Sequence, residues 1–226
     1  MDGPNVTFGK SARFDCMPLV VKYCINIQSI TSNIFFAEEI NILSNNCENL
    51  SELKLDFHLN KKSEEIEEKI DEELTKLFYY NAKLRTLVLK NFTGTGDCLL
   101  ELPWDQMEKI NILESLDDIS NEDNVLIAIQ ESTKLNFFKY TYANENIIRA
   151  LECSSYNLIA LELHNEFDRI KKIDTYLSHI FQNNKKLKSI KLRDFRNLTG
   201  ECLLSLNKNT IEEIELTPIF KLKKKY

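Results

Sequence analysis

Glycine and proline are scarce in this chain, 5 and 4 of its 226 residues, and no serine-rich or single-residue tract interrupts it. That composition excludes a collagen-like or low-complexity polymer and argues against a long flexible linker, so residues 1–226 read as one domain. Long apolar runs are missing too: a helix needs about 18 consecutive apolar residues to cross a bilayer, and none occurs. The opening MDGPNVTFGKSARFD lacks the charged-then-apolar order of a secretory leader. These absences predict a protein with no membrane partner, placed in the cytoplasm, with the nucleus as the alternative.

Chemistry-bearing residues are equally thin. The three histidines, His58, His164 and His179, share no ligand spacing, and H-E-x-x-H, G-x-S-x-G, G-x-x-x-x-G-K and G-x-G-x-x-G are all absent. Cys16, Cys24, Cys47, Cys98, Cys153 and Cys202 contain no C-x-x-C pair, which argues against a zinc site or a redox dithiol. They read instead as small core side chains. No catalytic residue, metal or cofactor is expected. Positive charge is in deficit, with a net charge of −6 and a pI near 5.3, which disfavours nonspecific affinity for nucleic acid.

What is present is an internal repeat. Lys83–Ile112, KLRTLVLKNFTGTGDCLLELPWDQMEKINI, returns as Lys186–Leu216, KLKSIKLRDFRNLTGECLLSLNKNTIEEIEL, with one inserted residue. Twelve apolar or small positions match, from Leu84 and Leu187 to Ile112 and Leu216. Each copy carries L-x-x-L-x-L twice, a word that places alternate side chains on one side of a strand. Marking each word by its first apolar residue gives Leu50, Leu84, Met107, Leu135, Leu158, Leu187 and Ile211, with a weaker candidate at Val20 (Val20, Tyr23, Ile25). The spacings are 30, 34, 23, 28, 23, 29 and 24 residues, long after short from Leu84 onward. Units of this length belong to the leucine-rich class, in which each strand is followed by a helix or turn.

The fold expected is therefore an α/β leucine-rich-repeat solenoid, a horseshoe of seven to eight repeats with parallel strands on its concave side and helices on its convex side. Residues 1–19 read as an N-terminal cap and 217–226 as a C-terminal cap with a basic tail. Helices are expected at Asn33–Asn45, Ser63–Tyr80, Glu122–Gln130, Ile147–Cys153 and Ile170–Gln182 from their apolar spacing. Ser63 can cap its helix, Glu65–Lys69 and Glu72–Lys76 stand at pairing distance along it, and the acidic run Glu64–Glu73 reads as its solvated face. Asn81 and Asn184 fall in the turn back to the next strand, where asparagine tolerates a left-handed backbone. Thr95-Gly-Asp and Thr199-Gly-Glu look like matching helix starts with a capping hydroxyl.

The words KLRTLVLKNFTGTGDCLLEL and KLKSIKLRDFRNLTGECLLSL resemble the cysteine-containing leucine-rich repeats attached to F-box proteins, over about Leu50 to Leu216. In that family an N-terminal F-box recruits a ubiquitin-ligase scaffold while the repeats hold the substrate. The stretch before Val20 is too short for the three helices of an F-box, so what the resemblance implies is the substrate-receptor surface.

The side chains between the marker residues point outward from the strands. From these, the candidate contact set is Lys90, Lys109, Phe137, Lys139, His164, Lys191 and Arg193, a mainly basic strip with an aromatic anchor. The expected function is non-enzymatic recognition of a protein partner. The alternatives are a ligase substrate receptor lacking its F-box and a nucleic-acid adaptor working through the basic strip. The partner's identity and the oligomeric state stay open.

Overall fold

The computed structural model describes residues 4–8, 16–23, 26–58, 64–92, 94–114, 122–153, 157–165 and 170–217. Two compact units divide the chain. The first, Met1–Leu135, contains β1 (Asn5–Phe8), α1 (Met17–Tyr23), β2 (Ser29–Ile34), α2 (Ala37–Asn46), β3 (Glu52–Phe57), α3 (Glu64–Tyr80), β4 (Thr86–Phe92), the 3-10 helix η1 (Asp97–Glu101), β5 (Lys109–Glu114) and α4 (Glu122–Glu131). The second, Asn136–Tyr226, contains β6 (Phe137–Thr141), α5 (Glu145–Cys153), β7 (Ala160–His164), α6 (Ile173–Asn183), β8 (Ser189–Arg193), the 3-10 helix η2 (Glu201–Ser205) and β9 (Glu213–Thr217). The described residues thus form nine strands, which pair parallel within each unit, and six α-helices.

Strand order follows chain order in both units, so each strand meets only its sequence neighbours. A parallel strand cannot return through a tight hairpin and needs a crossover, which is why a helix or 3-10 turn separates consecutive strands. Alternation decides which residues go inside: Leu53, Leu55 and Phe57 of β3, Leu87 and Leu89 of β4, and Leu161 and Leu163 of β7 are at most 3% exposed. Helices close the core with Ile70, Leu74, Leu77 and Phe78 from α3, and with Ile173, Leu177, Ile180 and Phe181 from α6. Each such aliphatic or aromatic side chain contributes about 1.5–3 kcal/mol on burial.

Several expectations need correction. The weak strand at Val20 and Tyr23 is α1, and the strand of that repeat is Ser29–Ile34; Ile25 lies outside the described residues. Its word is Ile27-x-x-Ile30-x-Ser32, and Ser32, 3% exposed at the third inward position, disguises it. Asn5–Phe8, within the segment read as a cap, forms a strand in register with β2. Residues 1–3 and 9–15 of that cap, Cys24, the capping Ser63 and tail residues 218–226 lie outside the described residues.

The acidic run on α3 is not wholly solvated, because Asp71 and Glu73 are each only 5% exposed. Glu73 Oε2 accepts from Ser44 Oγ of α2 at 3.0 Å, while burial, which opposes its charge, is outweighed by hydrogen bonds from Asn41, Lys76 and Ser44 that keep its pKa low. Lys69 pairs with Glu38 of α2 at 2.7 Å, whereas Lys76 meets Glu72 at 2.8 Å as its spacing predicts. Cys47, Cys98 and Cys202 are buried, but Cys16 and Cys153 are exposed and so are not core side chains.

Candidate functional site

The outward strand face is held in place by two sets of polar residues at the strand ends, of which Asn81, Asn184 and Asp71 are buried. Asn81 Oδ1 accepts from Leu50 N at 2.7 Å, and its Nδ2 donates to the carbonyls of Cys47 (2.8 Å) and Leu77 (2.7 Å). In the second unit Asn184 Oδ1 accepts from Leu158 N at 3.0 Å and Nδ2 donates to Ile180 O at 2.8 Å. These asparagines serve through their side chains: Asn184 has φ −107, and Asn81 is not among the left-handed residues. A side-chain amide can satisfy a strand N–H and helix carbonyls together, which a backbone turn alone cannot.

The second set fastens the 3-10 turns. The carboxylate of Asp71 on α3 accepts hydrogen bonds from the backbone N–H groups of Thr95, Gly96 (3.1 Å) and Cys98 (3.4 Å). Asp174 on α6 repeats this with Thr199 (2.8 Å), Gly200 (3.0 Å) and Cys202 (3.1 Å). Burial penalises the Asp174 charge, yet the hydrogen bonds from Thr199 and Cys202 prevail and lower its pKa. The expected Thr caps are corrected accordingly: the hydroxyls of Thr95 and Thr199 lie 3.5 and 3.4 Å from the N–H groups of Asp97 and Glu201, too long to lead. Gly96 and Gly200, at φ 82 and 91, bend the backbone into these carboxylates, a conformation that glycine adopts without strain. Burial drives the neighbouring thiols up, Cys202 to about 12 and Cys98 well above its usual value.

With the ends fixed, outward side chains fall into rows, adjacent strands lying about 4.8 Å apart. In the first unit one row is Ser29, Glu52, Thr86 and Lys109; the next is Thr7, Thr31, Lys54, Val88 and Asn111; the third is Asn33, Asp56, Lys90 and Leu113. Lys54 is paired with Glu52 at 2.7 Å, and this contact, followed by the Ser29 hydroxyl and the charge of Lys109, lowers the Glu52 pKa against the cost of burial. Asp56 accepts from Asn91 Nδ2 at 2.8 Å and faces His58 at 3.4 Å; His58 in turn stacks on Phe35.

In the second unit the rows are Phe137, Ala160, Ser189 and Glu213; Lys139, Glu162, Lys191 and Glu215; and Thr141, His164, Arg193 and Thr217. The middle row alternates in sign. Lys139 meets Glu162 at 2.6 Å, Lys191 lies 3.8 Å from Glu162 and 3.1 Å from Glu213, and Arg193 meets Glu215 at 2.9 Å. The Lys191 pKa is raised chiefly by its bond to Glu213, and that of Glu213 is lowered chiefly by Ser189. His164 Nε2 is 2.7 Å from Asp194, which sits at φ 62 just past β8.

All seven candidate contact residues are thus on the outward strand face: Lys90 and Lys109 on the first unit, and Phe137, Lys139, His164, Lys191 and Arg193 on the second. The basic strip is not uncompensated charge, however, since Lys139, Lys191 and Arg193 are each held by acids. The sequence places these cations and the acids Glu162, Glu213 and Glu215 on the same face but does not show that they pair. Sequence reasoning missed Asp71 and Asp174, although the two stand at the offset that separates Leu84 from Leu187. Among the described residues no group of three His, Cys, Asp or Glu side chains is arranged to hold a metal. No helix among them is long and apolar enough to cross a membrane. No protein-family model matches this sequence, and no curated protein matches it.

Proposed function

We propose that the chain is a non-enzymatic recognition scaffold of the leucine-rich-repeat type that holds a protein partner on its outward strand face. The observation that carries this reading is the preorganisation of that face. Its side chains stand in rows on strands whose ends are tied by Asn81, Asn184, Asp71 and Asp174, so little ordering entropy is lost on binding. Phe137 and Leu113 supply apolar contact area, and the mixed charges supply register more than raw affinity. The nucleic-acid alternative is weakened by the ion pairs of Lys139, Lys191 and Arg193, which would have to be broken to reach phosphate. A ligase substrate-receptor role needs a recruiting element outside the repeats and is kept as a special case of the same surface.

The test is affinity capture from the native source with the wild type beside Phe137→Ala/Lys139→Ala, followed by hydrogen-exchange mapping of the complex. Loss of specific partners by a variant with an unchanged melting curve, and protection centred on the strands, are expected. An unchanged partner set, with protection on the helices, would move the site to the helical side. A cullin-type scaffold among the partners would favour the ligase case.

A further inference from the structure

We propose that the strand face of the first unit binds an extended acidic segment of the partner, with a carboxylate against Lys90, a small apolar side chain on Val88 and a backbone N–H on Asn111 Oδ1. The inference rests on the recognition reading above and narrows it to one place and one chemistry.

The two copies of the internal repeat serve as a comparison. Val88, Lys90 and Asn111 of the first copy correspond to Lys191, Arg193 and Glu215 of the second, as the flanking pairs Leu87 and Ile190, Leu89 and Leu192, and Ile110 and Ile214 require. In the second copy the three satisfy one another: Arg193 lies 2.9 Å and Lys191 4.0 Å from Glu215. In the first copy they do not. Asn111 Oδ1 is buried and has no hydrogen-bond partner among the described residues. Lys90 is exposed and has no ion-pair partner among the described residues, while the nearby charges are engaged, Lys54 by Glu52 at 2.7 Å and Asp56 by Asn91 at 2.8 Å. A buried acceptor without a donor is costly, and a ligand that supplies the donor removes the cost.

The shape agrees with a chain rather than a compact molecule. A hollow of about 250 Å³ opens on this face between Thr7, Thr31, Asn33, Asp56, Val88 and Lys90. Sites for whole small molecules run from about 300 to 1,000 Å³, so this one suits one or two side chains. Val88 lines it and is only 6% exposed although it points outward. Val88 and Lys90 are two residues apart on β4, and Asn111 is the cross-strand neighbour of Val88. A segment running along β4 at roughly 3.3 Å per residue sets alternate side chains on Val88 and Lys90 and turns its backbone toward Asn111. With Lys54 engaged by Glu52 and Asp56 by Asn91, Lys90 is the cation of this hollow that an acidic residue complements.

The test uses the full chain and phage-displayed random twelve-residue peptides, with each selected peptide labelled and titrated by fluorescence anisotropy. Selected peptides should share an Asp or Glu two positions from Ala or Val. Lys90→Glu and Asn111→Leu should each weaken binding by about tenfold, and Lys90→Arg should stay within about threefold. Asn111→Leu should melt no lower than the wild type, since it removes an unsatisfied acceptor, so its lost affinity cannot be assigned to unfolding. Phe137→Ala/Lys139→Ala should leave these peptides bound. Failure to enrich peptides, peptides without an acidic position, or indifference to Lys90→Glu would overturn the proposal. If only Phe137→Ala/Lys139→Ala abolishes binding, this subsite falls and the strand-face reading stands. If no strand-face variant lowers affinity, both fall.

Discussion

Replacing Asp71 and Asp174 by alanine, one at a time, tests the most consequential feature of the fold. Each carboxylate gathers three backbone N–H groups of a 3-10 turn more than twenty residues away, with |i−j| from 24 to 28. A hydrogen bond to a charged group is worth about 1.5–3 kcal/mol net, and three on one carboxylate are not additive. The difference between the copies lies in burial. Asp71 is 5% exposed, and the N–H groups of Gly96 and Cys98 that it serves are buried, so Asp71→Ala strands donors that water cannot reach. Its cost should be about 3–4 kcal/mol. The turn held by Asp174 is partly open, with Thr199 exposed, so water replaces some of the lost bonds and Asp174→Ala should cost about 1–2 kcal/mol. Urea unfolding of the full chain, followed by far-ultraviolet circular dichroism, reads both values from the shift in midpoint at unchanged slope. Asp71→Asn retains one acceptor and should fall between alanine and the wild type. An Asp174→Ala loss equal to or larger than that of Asp71→Ala would refute the reasoning, as would an Asp71→Ala cost below about 1 kcal/mol.

Three further outcomes are expected. The folded-state pKa of Asp174 lies below its ordinary 3.8, so the stability it contributes is present above that value and is lost as pH falls through the lower folded value; acid titration of Asp174→Asn should show a shallower loss in that window, and an unchanged profile would count against the hydrogen bonds. In native protein a bulky disulfide reagent should label Cys153 and Cys16 rapidly and leave Cys98 and Cys202 untouched until denaturant is added, because burial removes both access and thiolate; mass spectrometry of the labelled peptides decides. Asn81→Leu strands the N–H of Leu50 and the carbonyls of Cys47 and Leu77 and should cost about 2–4 kcal/mol in a thermal or urea melt, and a loss under about 0.5 kcal/mol would show that the amide is dispensable.

The strands of both units were legible in the sequence from Leu50 onward because inward positions repeat with period two and carry large aliphatic residues. β2 was not, since Ser32 stands where the pattern asks for leucine. Helix positions after α1 were legible from their apolar stripes, but which polar residues turn inward was not. Asp71 and Glu73 sit in a run of acids that includes exposed Glu65, Glu68 and Glu72, and only the hydrogen-bonding needs of a distant turn and of Ser44 single the two out. The outward face could be enumerated residue by residue. Its electrostatics could not, because cation and acid meet across strands 22 residues apart in sequence, as Arg193 and Glu215 do, and the His164 ring meets Asp194 from 30 residues away. Asn111 could be placed on that face from its number alone; that its amide oxygen is stranded depends on which neighbours fail to reach it.

The sequential strand order of the second unit has a consequence for breathing motions. Among the described residues each strand pairs only with the ones before and after it, and β9 with β8 alone, so opening is cheapest at β9. At β9 the residues that should face the interior, Ile214 and Leu216, remain 45% and 38% exposed, whereas Ile190 and Leu192 of β8 are at most 1% exposed. Amide protons there should exchange in graded fashion, fastest on β9, slower on β8 and slowest on β7, as successive local openings each strip one more strand from the stack. Arg193 and Lys191 would lose their acids on Glu213 and Glu215 in the first of those openings, so the charge this unit shows to its surroundings fluctuates on the timescale of the fraying strand.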